Sequence, residues 1–448
     1  MQPIASPPSA DPARLSAREA ALAIREGRLT ALSLVKACLD RVAAREPEIR
    51  AWSNLDRDVA CEQARRADAR QAVGEPLGLL HGLPVGVKDV FDTADMPSEY
   101  GSALYRARVP EADAAAVSKL REAGAIILGK TATSEFGMYH PPPTRNPHDL
   151  LRSPGVSSSG SAAAVVDYMT PLALGTQHTA STTLPASFCG AFAFKPSLGF
   201  TEMTGSNILV PRLAHLGLLA RSVDDLALFA GAFNPALAEL DPVGKFPAPR
   251  IAFVRGPGWT NVTFDAATAL KTLLSRIRVS IPEPVLPPEF DRAVEVTMGL
   301  LDAHLAFRFG GLPAEDFAQL CSPLQAGVQN GKSMSAPHYL ELDALADRLT
   351  ALADGLFAEH DLLITLSTLG EATRLEEGPG SGVMSMPWSL CGLPTLSLPL
   401  LRGKQGLPIG LQLIGPKGRD RSLLQAAAWV VAETSPVTHI KPENANVA

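Results

Sequence analysis

One lysine set inside an apolar run and two serine-bearing loops are the residues of this chain best suited to covalent chemistry. The lysine closes Gly82-Leu-Pro-Val-Gly-Val-Lys88-Asp89, and the loops are Gly155-Val-Ser-Ser-Ser-Gly-Ser161 and Gly175-Thr-Gln-His-Thr-Ala-Ser181. A serine hydroxyl is a weak nucleophile at neutral pH and needs a base beside it. A lysine becomes such a base when burial among residues such as Val85, Val87 and Val90 lowers its pKa from ~10.4 toward neutrality. Each piece alone has an ordinary reading: a lone lysine snorkels from an apolar strand, and Ser/Gly loops are turns or helix caps. Their order and spacing carry more, because Ser157 follows Lys88 by 69 residues and Ser181 follows Ser157 by 24.

In that order the pieces resemble the amidase signature hydrolases, a family with a Ser–Ser–Lys triad. The likeness is dense from about Gly78 to Ala232. It returns in Pro387-Trp-Ser-Leu-Cys-Gly-Leu-Pro-Thr-Leu-Ser-Leu-Pro399 and Gly406-Leu-Pro-Ile-Gly-Leu-Gln-Leu-Ile-Gly415. Gly129-Lys-Thr, Thr144-Arg-Asn-Pro147, Pro185-Ala-Ser-Phe-Cys-Gly190 and Phe194-Lys-Pro196 match as well. The resemblance implies Lys88 as base, Ser157 as bridging serine behind a cis Val156–Ser157 peptide, and Ser181 as acyl-accepting nucleophile. It also implies oxyanion donors among the backbone N–H groups of His178 to Ser181. His178, Thr179, Ala180 and Ser158 are thus the expected oxyanion and substrate contacts, with the His178 side chain lining the pocket or, as an alternative, serving as a second proton carrier.

The chain also departs from the family pattern. Val156, Thr179 and Ala180 stand where glycine, or for Thr179 glycine or alanine, is usual, so tight backbone torsions there would be strained. Gln177 replaces a common acidic residue, and Thr182-Thr183-Leu184 replaces a usual arginine, so neutral contacts are expected in place of a charge pair. These changes leave turnover open without removing the triad.

Other patterns carry little. Ala326-Gly-Val-Gln-Asn-Gly-Lys-Ser333 approaches a phosphate loop but lacks the first glycine and a preceding strand. Ser33-Leu-Val-Lys36 has Ser-x-x-Lys spacing but lies in a helical stretch. The nine histidines show no metal spacing. The five cysteines are scattered and odd in number, which argues against a zinc site or disulfide framework and fits a reduced cytoplasmic compartment. A net charge of −6 gives no reason to expect nucleic acid or an anionic membrane as partner. No run approaches ~20 apolar residues, so no transmembrane helix is expected.

The elements that must position these residues follow from periodicity. Ser16 and Glu19 form a capping-box pattern, Gly27 stops that helix, Thr30 starts a second, and 56–73 reads as a third. From Leu80 short apolar runs alternate with helices: strands at 85–91, 125–129 and 172–175, helices at 114–123 and from Ser161. Late strands are expected at 250–255, 361–366, 396–400 and 410–414, before a helix at 422–433. The pattern predicts a single large α/β domain whose mixed, mostly parallel sheet is covered by helices on both faces. Within it, 1–14 is expected as a disordered tail, 15–75 as a helical layer and 76–235 as the catalytic core. The rest divides into a variable, mostly helical 236–360 and C-terminal strands and a helix in 361–448.

The resemblance implies an amidohydrolase that cleaves a carboxamide or ureide C–N bond through an acyl-enzyme, with no metal or organic cofactor and a small amide as substrate. Two other readings stay open: a weak or inactive binding protein on the same fold, and a protein like the ammonia-releasing component of an amidotransferase. A homodimer is left open too. The pocket walls are expected from 138–143, from helices after Val262 and from 384–390.

Overall fold

The computed structural model describes residues 11–138 and 140–434. The N-terminal layer forms as its caps dictate. Ser16 Oγ accepts from the Glu19 N–H while the Glu19 carboxylate accepts from the Ser16 N–H, starting Ala17–Arg25. Thr30 caps Ala31–Ile49 and Asp56 caps Arg57–Ala72, each side chain accepting first-turn N–H groups that would otherwise lack a partner. Order begins earlier than expected. Of the anticipated tail, residues 1–10 lie outside the described residues, but Asp11 caps a turn at Pro12–Arg14 and Ala13 is buried.

Ten strands form one sheet: β1 Trp52–Asn54, β2 Pro84–Lys88, β3 Ile126–Thr131, β4 Leu172–Gln177, β5 Phe192–Lys195, β6 His215–Ala220, β7 Ile251–Phe253, β8 Leu362–Leu366, β9 Thr395–Arg402 and β10 Pro408–Ile414. Their order is β1-β3-β2-β4-β6-β5-β9-β10-β8-β7. Every residue of β2, β3, β4, β6, β8 and β10 is buried, which requires cover on both faces. The mixed α/β sheet flanked by helices is therefore present, but its strands are not mostly parallel. Only β2–β3, β2–β4 and β7–β8 pair in parallel; the other six pairings are antiparallel. The physical reason is that a continuous apolar run reports burial on both faces and says nothing of strand direction. The tight β9–β10 hairpin and the return of β6 between β4 and β5 supply antiparallel neighbours that the run pattern could not show.

The parallel β3–β2–β4 segment matters for function. It brings Lys88, the last residue of β2, beside the carboxyl end of β4, where the loop to Ser181 begins. The strand expected at 85–91 stops at Lys88, because the chain turns there and the Val90 and Phe91 N–H groups return to the Lys88 carbonyl. The helices Ala293–Phe309, Ser322–Ser333 and Ala336–Leu356 form the region after β7, and a hydrophobic cluster joins Leu300, Leu301 and Leu324 to Phe136, Met138 and Trp388. This contact sets the helical region against the loop that follows β3. The near-phosphate-loop lies inside Ser322–Ser333 and Ser33 to Lys36 inside Ala31–Ile49, so both are plain helix. Among the described residues no helix is long and apolar enough to cross a membrane.

Candidate active site

Lys88 is fully buried. Its Nζ donates to Thr176 Oγ1 at 2.8 Å and is hydrogen-bonded to Ser157 Oγ. Burial drives its pKa well below the ordinary lysine value, and no carboxylate among the described residues faces it. Its neighbour Lys130 differs. Lys130 Nζ lies 3.3 Å from Asp89 and donates to Ser98 Oγ and the Phe91 carbonyl, so the acidic residue next to Lys88 in sequence is spent on another amine. Burial lowers the pKa of Lys130 as well, but there Asp89 opposes it, whereas at Lys88 burial acts unopposed.

Two backbone features hold Ser157 against it. The Val156–Ser157 peptide is not cis, contrary to the expectation; no cis bond occurs among the described residues. Instead Ser157 itself takes φ +70°, a left-handed torsion that costs a serine roughly 1–2 kcal/mol and turns its hydroxyl toward Lys88. Val156, Thr179 and Ala180 are not among the residues with positive φ, so the strain expected at the three missing glycines falls on Ser157. The second feature is Gly137, at φ +76°. A Cβ there would stand 3.4 Å from Ser157 Oγ and 4.0 Å from Lys88 Nζ, so the bare backbone covers the pair closely.

Ser181 is half-buried and borders a cavity of about 310 Å³ together with Gly137, Val156, Thr179 and Ala180. The two serine loops are tied by the Ser158 N–H, which donates to the Ser181 carbonyl at 3.2 Å. Ser158, expected to touch substrate, is instead wholly buried. Its Oγ donates to the Thr176 carbonyl and accepts from the Thr176 N–H, each at 3.3 Å. It therefore latches the loop and has no free hydroxyl for a ligand. His178 is also corrected: its side chain does not line the cavity but is buried, and Nε2 accepts from the Leu209 N–H at 3.4 Å. Burial, aided by the nearby Lys88, lowers its pKa to about 3, which keeps it neutral at physiological pH.

The N–H groups of Thr179, Ala180 and Ser181 have no protein acceptor among the described residues, while the Thr179 and Ala180 carbonyls are engaged. Consecutive N–H groups without an acceptor are of the kind that can receive an oxyanion. Ala180's methyl fits because Gly382 leaves the space; a Cβ on Gly382 would come within 2.7 Å of it.

The loop's support is the neutral network that the sequence changes suggested. Gln177 Oε1 accepts from the Thr182 and Thr183 N–H groups at 2.9 and 3.0 Å, the start of helix Thr183–Cys189. Gln177 Nε2 donates to Ser389 Oγ at 2.9 Å, and Ser389 Oγ donates on to the Thr179 carbonyl at 2.8 Å. Thr183 Oγ1 donates to Ser385 Oγ and Ser385 Oγ to Gln412 Oε1, so the chain of bonds reaches β10. Thr176, Gly137, Ser385 and Ser389 were not singled out in the sequence. All three expected wall segments contribute, through Met138, Met298 and Met386, while Pro379 to Gly382 is an addition; residue 139 of the first segment lies outside the described residues. No group of three or more His, Cys, Asp or Glu able to hold a metal occurs among the described residues.

Comparison with known proteins adds a lineage to this geometry. The family model described as Amidase matches residues 33–424. The glutamyl-tRNA(Gln) amidotransferase A-subunit of Thermobifida fusca (strain YX) is 31% identical over 476 aligned positions, covering 94% of this chain and 95% of its own. A crystal structure of an amidase superposes with TM-score 0.84 at 29% identity, covering 93% of this chain and 99% of that one. The native peptide amidase from Stenotrophomonas maltophilia gives 0.79 at 25%, covering 94% and 97%.

Proposed function

The chain belongs to the amidase family, and from that premise we propose that it hydrolyses carboxamides through an acyl-enzyme on Ser181. In this reading neutral Lys88 accepts the Ser157 proton as Ser157 takes the proton of Ser181, whose Oγ forms a bond to the amide carbonyl carbon. The resulting oxyanion accepts hydrogen bonds from the Thr179, Ala180 and Ser181 N–H groups, which typically contribute about 2.7–4 kcal/mol apiece to such transition states. As the C–N bond breaks, the proton returns from Lys88 through Ser157 to the leaving amine. Water then repeats the sequence on the ester, releasing the carboxylic acid and restoring the Ser181 hydroxyl.

The observation that carries this reading is the buried Lys88 amine, bonded to Ser157 and Thr176 and facing no carboxylate among the described residues. The unpaired cysteines support a reducing compartment such as the cytoplasm. Ammonia release from simple amides by the purified chain tests the activity. Ser181→Ala should lower it by at least about 10³-fold, as loss of a nucleophile does elsewhere. Undiminished release by that variant would remove Ser181 from the mechanism.

A second reading rests on the relatives that are amidotransferase A-subunits. Their likeness makes an ammonia-releasing component of a larger complex the alternative, and it would show itself as glutamine-dependent activity only when a partner protein is added.

A further inference from the structure

We propose that the cavity beside Ser181 selects uncharged carboxamides with an apolar acyl chain or ring, and turns away amides that carry a charged amino-acid head. This inference rests on the hydrolase reading above. Among the described residues, none lining the cavity has an ionisable side chain. Its walls are Met138 from the loop after β3, Leu184 at the start of helix Thr183–Cys189, Met298 from helix Ala293–Phe309, Met386 from helix Met386–Leu390 and Val156. Apart from Ser181, the lining hydroxyls among the described residues are Thr179 and Ser381.

Three of these walls come from separate parts of the chain and all three are methionine. Unbranched, polarisable thioethers fit irregular apolar shapes and pair with no charge. A substrate such as glutamine carries an ammonium and a carboxylate close to its amide, and both lose water on entry. Each then needs an opposite charge, which this wall does not offer. The basic side chains His140 and Arg145 line a separate hollow that shares only Pro379 with this cavity. At about 310 Å³ the space admits an acyl group of roughly ten non-hydrogen atoms, taking about 30 Å³ for each.

The experiment measures kcat/KM for propionamide, butyramide, hexanamide and benzamide, with glutamine and succinamate as charged comparators. Ser181 labelling by a fluorophosphonate is followed in the same preparation. Each added methylene should raise kcat/KM about fourfold up to hexanamide. Both charged amides should fall at least about 100-fold below hexanamide. Met298→Trp, which fills the cavity from one side, should lower the hexanamide-to-propionamide ratio at least about tenfold. Because that readout is a ratio within one sample, partial loss of folded protein cancels. A chain that labels on Ser181 but works best on glutamine, or shows no gain with chain length, overturns the substrate class alone. A chain that neither labels nor releases ammonia overturns the hydrolase reading, and the substrate class with it.

Discussion

Lys88 and Lys130 are both buried, and their neighbours assign them different tasks. Lys130 faces Asp89 and the Phe91 carbonyl, groups that hold a proton on an amine; Lys88 faces two hydroxyls. With its folded pKa below the unfolded value of ~10.4, Lys88 binds fewer protons in the folded chain than in the unfolded one. Stability at this position therefore weakens as pH falls below the ordinary lysine range, and the penalty fades as pH rises toward it. Lys88→Met removes the titration. Its stability relative to the parent should be most favourable near about pH 7 and should decline toward about pH 9.5, as urea unfolding at the two pH values would reveal. A difference that does not change with pH would mean that Lys88 is charged in the folded protein. The proximity of Ser157 to Lys88 was legible in the sequence through their order and spacing. Thr176 was not, because a threonine at a strand end has many ordinary reasons to be there.

At the scale of elements, the loop between β4 and helix Thr183–Cys189 depends on Gln177. Its carboxamide accepts two N–H groups at the start of that helix and, through Ser389, fixes the Thr179 carbonyl. That bond holds the Thr179 carbonyl in the loop whose N–H groups are proposed to receive the oxyanion. Gln177→Ala leaves two buried donors without acceptors and should destabilise the fold by roughly 2–4 kcal/mol in denaturant titration. It should also lower kcat more than it raises KM, because the oxyanion cradle is used in the transition state. A variant with parental stability and kcat would show that the network does not support the loop. The sequence indicated a neutral replacement for a charge pair but not its partners. Ser385, Ser389 and Gln412 lie more than 200 residues from Gln177, and long-range hydrogen bonds leave no local pattern. Helix caps were readable for the opposite reason: Ser16 and Thr30 act within three residues of themselves. Strand direction was not readable, because six antiparallel pairings and three parallel ones are made from equally apolar runs.

Across the whole molecule, the sheet carries Lys88 and holds the two serine loops at its strand ends, and the helices after β7 help close the space in front of them. Phe136 and Met138 pack into the cluster of Leu300, Leu301 and Trp388, so the turn that carries Gly137 over Ser157 is anchored to the helical region. That region has little sequence signal of its own, yet it contributes Met298 to the cavity wall. Both halves meet in the proposed mechanism, where a buried neutral amine activates Ser181 at the mouth of an apolar cavity. Intact-mass measurement after exposure to a fluorophosphonate tests this most directly, with peptide mapping to locate the adduct. One adduct is expected, on Ser181, formed more slowly as pH is lowered and at least about 100-fold more slowly in Lys88→Ala, the usual scale for losing a general base. An adduct on another residue, or equal labelling of Lys88→Ala at every pH, would contradict it.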